Sequence, residues 1–269
     1  MKQKLCVVKA DNISVAWVRA LSAAVEEGVD SLATLHVLVN LDAATPLEDK
    51  DIRSEVDKFL LENYKIRKFV SVDTTSNTIF PYSYWNKNKS MDLLFERYKR
   101  NYPQIKKCPK NIHGTYFRRM THYGQKGVEQ IKHVIETYNE KSNKRPSALM
   151  LSIFDPNEDH THSCLRGFPC LQQVNFILDG KGGVKVVGIY AMQYLVDRAY
   201  GNYLGLCRLG EFFAHETGLK LTAMECIAPK AALGNIGKTE TRQLLKRIQT
   251  RVEKRGDTWL GNYDTFYSL

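Results

Sequence analysis

The stretch that most restricts the fold is Asp179-Gly180-Lys181-Gly182-Gly183. Its glycines admit the positive φ that a tight reversal needs. Runs rich in apolar and β-branched residues flank it, over 169–178 before and 184–195 after. The pattern predicts a β-hairpin, which excludes an all-helical chain and argues against a strict βαβ series. Helical periodicity surrounds the hairpin. Val15, Val18, Leu21 and Val25 form a stripe over 14–27, ended by Gly28. Val128, Ile131, Val134, Ile135 and Tyr138 do the same over 127–138. Thr45-Pro46-Leu47-Glu48 has the form of a helix start, with the helix running to Asn63. Further helices are predicted over 203–217 and 239–255, and further strands over 31–41, 147–154 and 219–227. Residues 65–90 fit neither period. Their aromatic run, 77–85, suits core packing or the wall of a base-binding cleft. The predicted class is α+β, a sheet sandwich with flanking helices.

The chain has 269 residues, enough for one large domain or two small ones at about 150 residues each. At 43% hydrophobic and 25% charged it is not a disordered chain. No run approaches the roughly 18–20 apolar residues of a membrane helix. The apolar run near Met1 is too short for a signal-peptide core, so a cytoplasmic protein without a membrane role is expected. Six scattered cysteines without a CxxC pair exclude a disulfide framework and a zinc ribbon, and predict reduced, mostly buried thiols. His160 and His162 lack further ligands at metal spacing, so no metal is expected, and 159–162 reads as a polar loop.

The net charge of +10 gathers in two stretches. One spans 97–119, with Arg97, Lys99, Arg100, Lys106, Lys107, Lys110 and Arg118; the other spans 238–255. Each reads as a solvated helix face or as a surface for an anionic partner, whether nucleotide, phosphate or nucleic acid. Gly234-Asn235-Ile236-Gly237-Lys238-Thr239 lacks the first glycine of a phosphate loop and reads as a helix entry.

The candidate for chemistry is Cys170. It follows Pro169 at the start of a predicted strand, where a thiol can be held rigidly against a ligand. Arg166, His160 and His162 are close in sequence and would favour its thiolate. The alternative is a structural cysteine in an apolar strand.

Five segments in order resemble the thymidylate synthase and pyrimidine hydroxymethylase superfamily. They are His113-Gly114-Thr115-Tyr116-Phe117-Arg118, the helix 129–138, Met150-Leu151-Ser152-Ile153-Phe154-Asp155-Pro156, the strand from Phe168-Pro169-Cys170 through Asn175-Phe176-Ile177-Leu178, and Gln193 with Asp197 and Gly201. The resemblance spans 112–227, while 1–110 is a divergent N-terminal part of one domain over 1–269. It implies a thymidylate-synthase-like fold, a homodimer paired through its sheets, and methylenetetrahydrofolate as cofactor. Cys170 matches the nucleophile that attacks C6 of a pyrimidine nucleotide and thereby activates C5 toward a one-carbon unit. Asn175 stands near the nucleotide, Asp197 at the folate contact and Gly201 where a ligand approaches.

The departures are as informative. The family's phosphate-binding arginine pair falls at Ser147 and Ala148, the arginine of its "QRS" segment at Tyr194, the histidine after the cysteine at Leu171, and the pyrimidine-reading asparagine at Gly205. A second register would make Arg198 the "QRS" arginine at the expense of Gln193 and Asp197. Arg118, Arg119, Arg145 and Arg166 are the candidate substitute anchors. The substrate implied is therefore not plain deoxyuridine monophosphate. The rival reading is a catalytically silent relative acting as a nucleotide-sensing or scaffolding dimer subunit.

Overall fold

The computed structural model describes residues 4–27, 32–64, 69–140, 145–163, 168–261 and 266–268. In chain order the elements are β1 (Lys4–Ala10), α1 (Ile13–Glu27), β2 (Leu32–Asn40), α2 (Lys50–Asn63), α3 (Val72–Ile79), α4 (Met91–Lys106), α5 (Tyr116–Thr121), α6 (Gln130–Glu140), β3 (Met150–Ser152), α7 (Pro156–Asp159), β4 (Leu171–Leu178), β5 (Gly183–Tyr190), β6 (Gln193–Tyr194), α8 (Tyr200–Thr217), β7 (Lys220–Ala228), β8 (Ala231–Ala232), α9 (Lys238–Lys254) and β9 (Phe266–Ser268). The class is mixed α+β, with parallel and antiparallel pairings and flanking helices. Among the described residues no helix is long and apolar enough to cross a membrane. The chain forms two compact units: Met1–Thr75 with Tyr190–Leu204 and Thr222–Leu269, and Ser76–Ile189 with Gly205–Leu221.

In the first unit the strand order is β7-β2-β1-β9. β1, to which the sequence reading assigned no element, runs parallel to β2 across α1, and β7 is antiparallel to β2. Cys6, Val8 and Ala10 are buried and pair with Leu35, Val37 and Val39, so the period of two puts both strands' apolar residues on one face. α1 is covered more widely than a single stripe. Val15 is only half-buried, whereas Ala16, Trp17, Ala20, Leu21, Ala23 and Ala24 are buried. Alanines leave room for neighbours on several sides. Trp17 donates its indole N–H to the Leu195 carbonyl at 2.8 Å and meets the Tyr200 ring edge-on.

α2 starts later than Thr45 suggested, because Asp49 caps it. Its carboxylate accepts from the N–H groups of Asp51 and Ile52. The basic face of α9 is answered inside the same unit. Arg247 pairs with Glu55 and Glu62, Arg251 with Glu55 and Asp51, and Arg255 with Asp49 and Asp51. Burial works to raise the Asp49 pKa, but the Arg255 bond at 2.7 Å and the capped N–H groups outweigh it and hold the carboxyl below its ordinary value. Folding thus favours the ionised form. Its contribution is present above the unfolded-state pKa and is lost as pH falls through the lower folded value. The urea midpoint is expected to fall between about pH 5 and about pH 3, with a shallower fall for Arg255→Gln. An unchanged slope in that variant would count against this pairing.

In the second unit the order is β3-β4-β5, and β4–β5 is the predicted hairpin. Gly180 and Gly182 have φ of 73° and 87°, and the Asp179 carboxylate accepts from the N–H groups of Lys181 and Gly183. β3 is shorter than the predicted 147–154, because Pro146–Ala148 forms a 3-10 turn. α6 starts at Gln130 rather than 127, since Gly127 has φ 67° and Val128 bridges back to Tyr123. The aromatic run enters the core: Phe80 is fully buried against Phe117, Phe212 and Trp85. Phe176 of β4 stacks on Phe213 of α8 at 3.9 Å.

Candidate functional site around Cys170 and Arg119

Cys170 lies one residue before β4, half-buried, after a buried Pro169 whose peptide bond to Phe168 is cis. The Gln172 side chain fixes this turn by donating to the Pro169 carbonyl at 2.6 Å. The Phe168 ring stacks on Tyr116 at 5.3 Å, and the Arg119 guanidinium lies over Phe168, 5.6 Å from its centre.

Arg119 is placed by the short helix α5. Thr115 caps it by accepting from the Arg118 N–H, and Tyr98 holds that hydroxyl. Phe117, Arg119 and Met120 turn inward. Gln130 then locks the surroundings: its amide donates to the carbonyls of Arg119 and Ser152 and accepts from the Ser152 N–H. Arg119 is 5% exposed. Its Nη2 meets Asp159 at 2.9 Å and Glu158 at 3.1 Å. Asp159 and Asp155 cap α7 reciprocally, since Asp159 accepts from the Asp155 N–H and Asp155 from the Asn157 N–H. The Arg119 Nη1 is buried and has no acceptor among the described residues. An unsatisfied buried donor costs about 1–3 kcal/mol, and this one leaves the guanidinium a hydrogen bond still to donate.

Arg118, half-buried, lies over the Tyr102 ring at 5.2 Å and makes a single long bond to the His122 carbonyl. Burial pushes the Tyr102 phenol up, against the pull of Arg118 and Arg119. It is therefore a neutral donor at physiological pH.

The other candidates lie elsewhere. On β4, Val174 and Phe176 are buried, and Asn175 alternates to the opposite face, where its carbonyl accepts from Gln173. Arg145 is exposed beside the 3-10 turn, as are Ser147 and Ala148. Arg166 lies outside the described residues. His160 and His162 are exposed, as are Lys99, Arg100, Lys106 and Lys107. Among the described residues no three His, Cys, Asp or Glu side chains are grouped to hold a metal.

Asp197 and Gly201 belong to the first unit. Asp197 sits in a π-helical turn, Leu195–Ala199. One of its oxygens accepts from the Tyr64 hydroxyl, and the other from the Asn235 N–H at 2.9 Å. Burial, together with the Asp197 bond, pushes the Tyr64 phenol up to about 12. A Cβ on Gly201 would stand 2.8 Å from the Val72 carbonyl oxygen and would overlap Thr75, so this glycine serves close packing of α8 on α3.

The sequence reading missed Tyr116, Phe168, Glu158 and Asp159 as neighbours of the arginine. One signal was available: Asp155-Pro156 has the form of an N-cap followed by proline at the first helical position, which puts Glu158 and Asp159 in the turn it opens. The chain matches no protein-family model and no curated protein sequence.

Proposed function

We propose that this chain is a thymidylate-synthase-like transferase in which Cys170 adds to C6 of a pyrimidine nucleotide other than plain deoxyuridine monophosphate. The observation that carries this reading is a half-buried cysteine on a turn fixed by Gln172, two residues from a ring that lies under a buried guanidinium. In the proposed step the thiolate sulfur forms a bond to C6, and the C5–C6 electron pair moves through C5 onto the C4 carbonyl oxygen. C5 becomes the carbon nucleophile, and expulsion of the thiolate later restores the ring. The resemblance assigns the one-carbon unit to methylenetetrahydrofolate, held by Asp197 and Gly201. Those two residues do not fit that duty: both Asp197 oxygens are engaged, and Thr75 fills the space over Gly201.

A homodimer agrees with the second sheet face of the first unit, where Leu5, Val7, Leu38 and Ile227 are only half-buried. The six scattered cysteines without a CxxC pair are the support for a reducing compartment, the cytoplasm. The commitment of Asp197 and Gly201 favours a second reading, a catalytically silent nucleotide-sensing subunit.

Mass spectrometry separates the two. With a panel of 5-fluoropyrimidine nucleotides plus methylenetetrahydrofolate, the wild type is expected to gain a covalent adduct that Cys170→Ala lacks. An unmodified wild-type chain across the panel would leave the sensing reading in place.

A further inference from the structure

We infer that Arg119 and Arg118 form an anchor for a phosphate monoester, and that the Glu158 carboxylate occupies this anchor until the phosphate displaces it. Only the identity of the ligand as a nucleotide rests on the reading above; the anchor itself does not.

Two carboxylates meet the same Arg119 nitrogen, and they are not equivalent. The Asp159 side chain is 1% exposed and its second oxygen is bound to the Asp155 N–H, so it is a permanent counterion. The Glu158 side chain is 43% exposed and sits at the longer distance. It is the exchangeable one. A phosphate engages a guanidinium through two parallel N–H···O bonds, from neighbouring nitrogens. Nη2 is shared by both carboxylates while Nη1 has no acceptor, so the fork is half used as it stands. Glu158 presents one oxygen there, and a phosphate can present two.

Arg118 supplies the second cation. It spends one 3.4 Å bond on a carbonyl and feels the Glu158 charge. Tyr102, whose phenol feels the charges of Arg118, Arg119 and Glu158, offers a neutral hydroxyl donor. Among the described residues, two guanidiniums face two carboxylates while Glu158 is in place. With Glu158 withdrawn this set of groups carries a net positive charge toward solvent, which suits a dianion. The Tyr116–Phe168 stack beside it adds an aromatic face for a ring attached to that phosphate.

Calorimetry on the full chain at low ionic strength tests this with three probes: inorganic phosphate, a pyrimidine nucleoside monophosphate and the corresponding nucleoside. Glu158→Gln is expected to tighten the binding of both phosphates by about tenfold, and Arg118→Gln to weaken it by a similar factor. The nucleoside should bind far more weakly than its monophosphate. Inorganic phosphate carries no ring for Cys170 to attack, so that probe judges the anchor apart from the thiol chemistry. The inference is overturned if Glu158→Gln leaves both affinities within about twofold, if nucleoside and monophosphate bind equally, or if neither phosphate binds wild type or Glu158→Gln. The predicted pattern without any Cys170 adduct would sustain the anchor and remove the cysteine reading.

Discussion

Arg119→Met is expected to lower the unfolding free energy by about 3–5 kcal/mol, read as a shift in the urea midpoint. The size follows from what is left behind. Asp159 has a side chain only 1% exposed, and with the guanidinium gone its charge loses the Arg119 cation while keeping the N–H donor of Asp155. A buried carboxylate stripped of its cation costs far more than the pair contributes over an apolar replacement. Methionine also loses the cation held over Phe168. The double variant Arg119→Met with Asp159→Asn should therefore be more stable than Arg119→Met alone, since asparagine carries no charge and can still accept from the Asp155 N–H. A single-variant loss below about 1 kcal/mol would mean that water already shares this carboxylate.

The same cluster shows what a sequence of this kind reveals and what it withholds. The β4–β5 hairpin was legible because glycine conformation and turn hydrogen bonding are local: Asp179, Gly180 and Gly182 specify the reversal whatever packs nearby. The long helices were legible for a similar reason, through their period. β1 was not, because the seven residues Lys4–Ala10 alternate too briefly to stand out until β2 supplies a partner. The start of α2 was misplaced because Thr45 and Asp49 both carry cap chemistry, and the choice between them is settled by which loop reaches Ser14, whose hydroxyl accepts from the Asp49 N–H. Cys170 and Arg119 could be named from the sequence, but not what surrounds them. Glu158 and Asp159 reach Arg119 across some 40 residues, and Phe168 reaches Tyr116 across more than that. Charge and aromatic composition say that such groups exist; only the turn of α5 and the cap of α7 say that they meet. Asp197 and Gly201 carry the opposite lesson. The resemblance assigns them to a ligand site, while in the fold one holds a loop and the other admits a neighbouring helix.

Gly234→Ala should be the second large loss, about 3–5 kcal/mol, from two separable causes. Gly234 has φ of +114°, a region that L residues rarely adopt. An added Cβ would also overlap the Asp197 Oδ2 oxygen and stand 2.8 Å from its Cγ. That oxygen cannot simply swing away, because it accepts from the Asn235 N–H while its partner oxygen holds the Tyr64 hydroxyl. Accommodating the methyl group therefore means breaking at least one of these bonds. Asp197→Ala alone should cost about 1–3 kcal/mol, by leaving those donors to find other acceptors. In that background the carboxylate is gone, and Gly234→Ala should cost only the backbone component, about 1–3 kcal/mol. The two changes are thus expected to be strongly non-additive, with the double variant more stable than the sum of the singles. Strict additivity would mean that the glycine is required by its backbone conformation alone. Asp197 would then not be the residue that fixes the 234–235 loop to the π-helical turn.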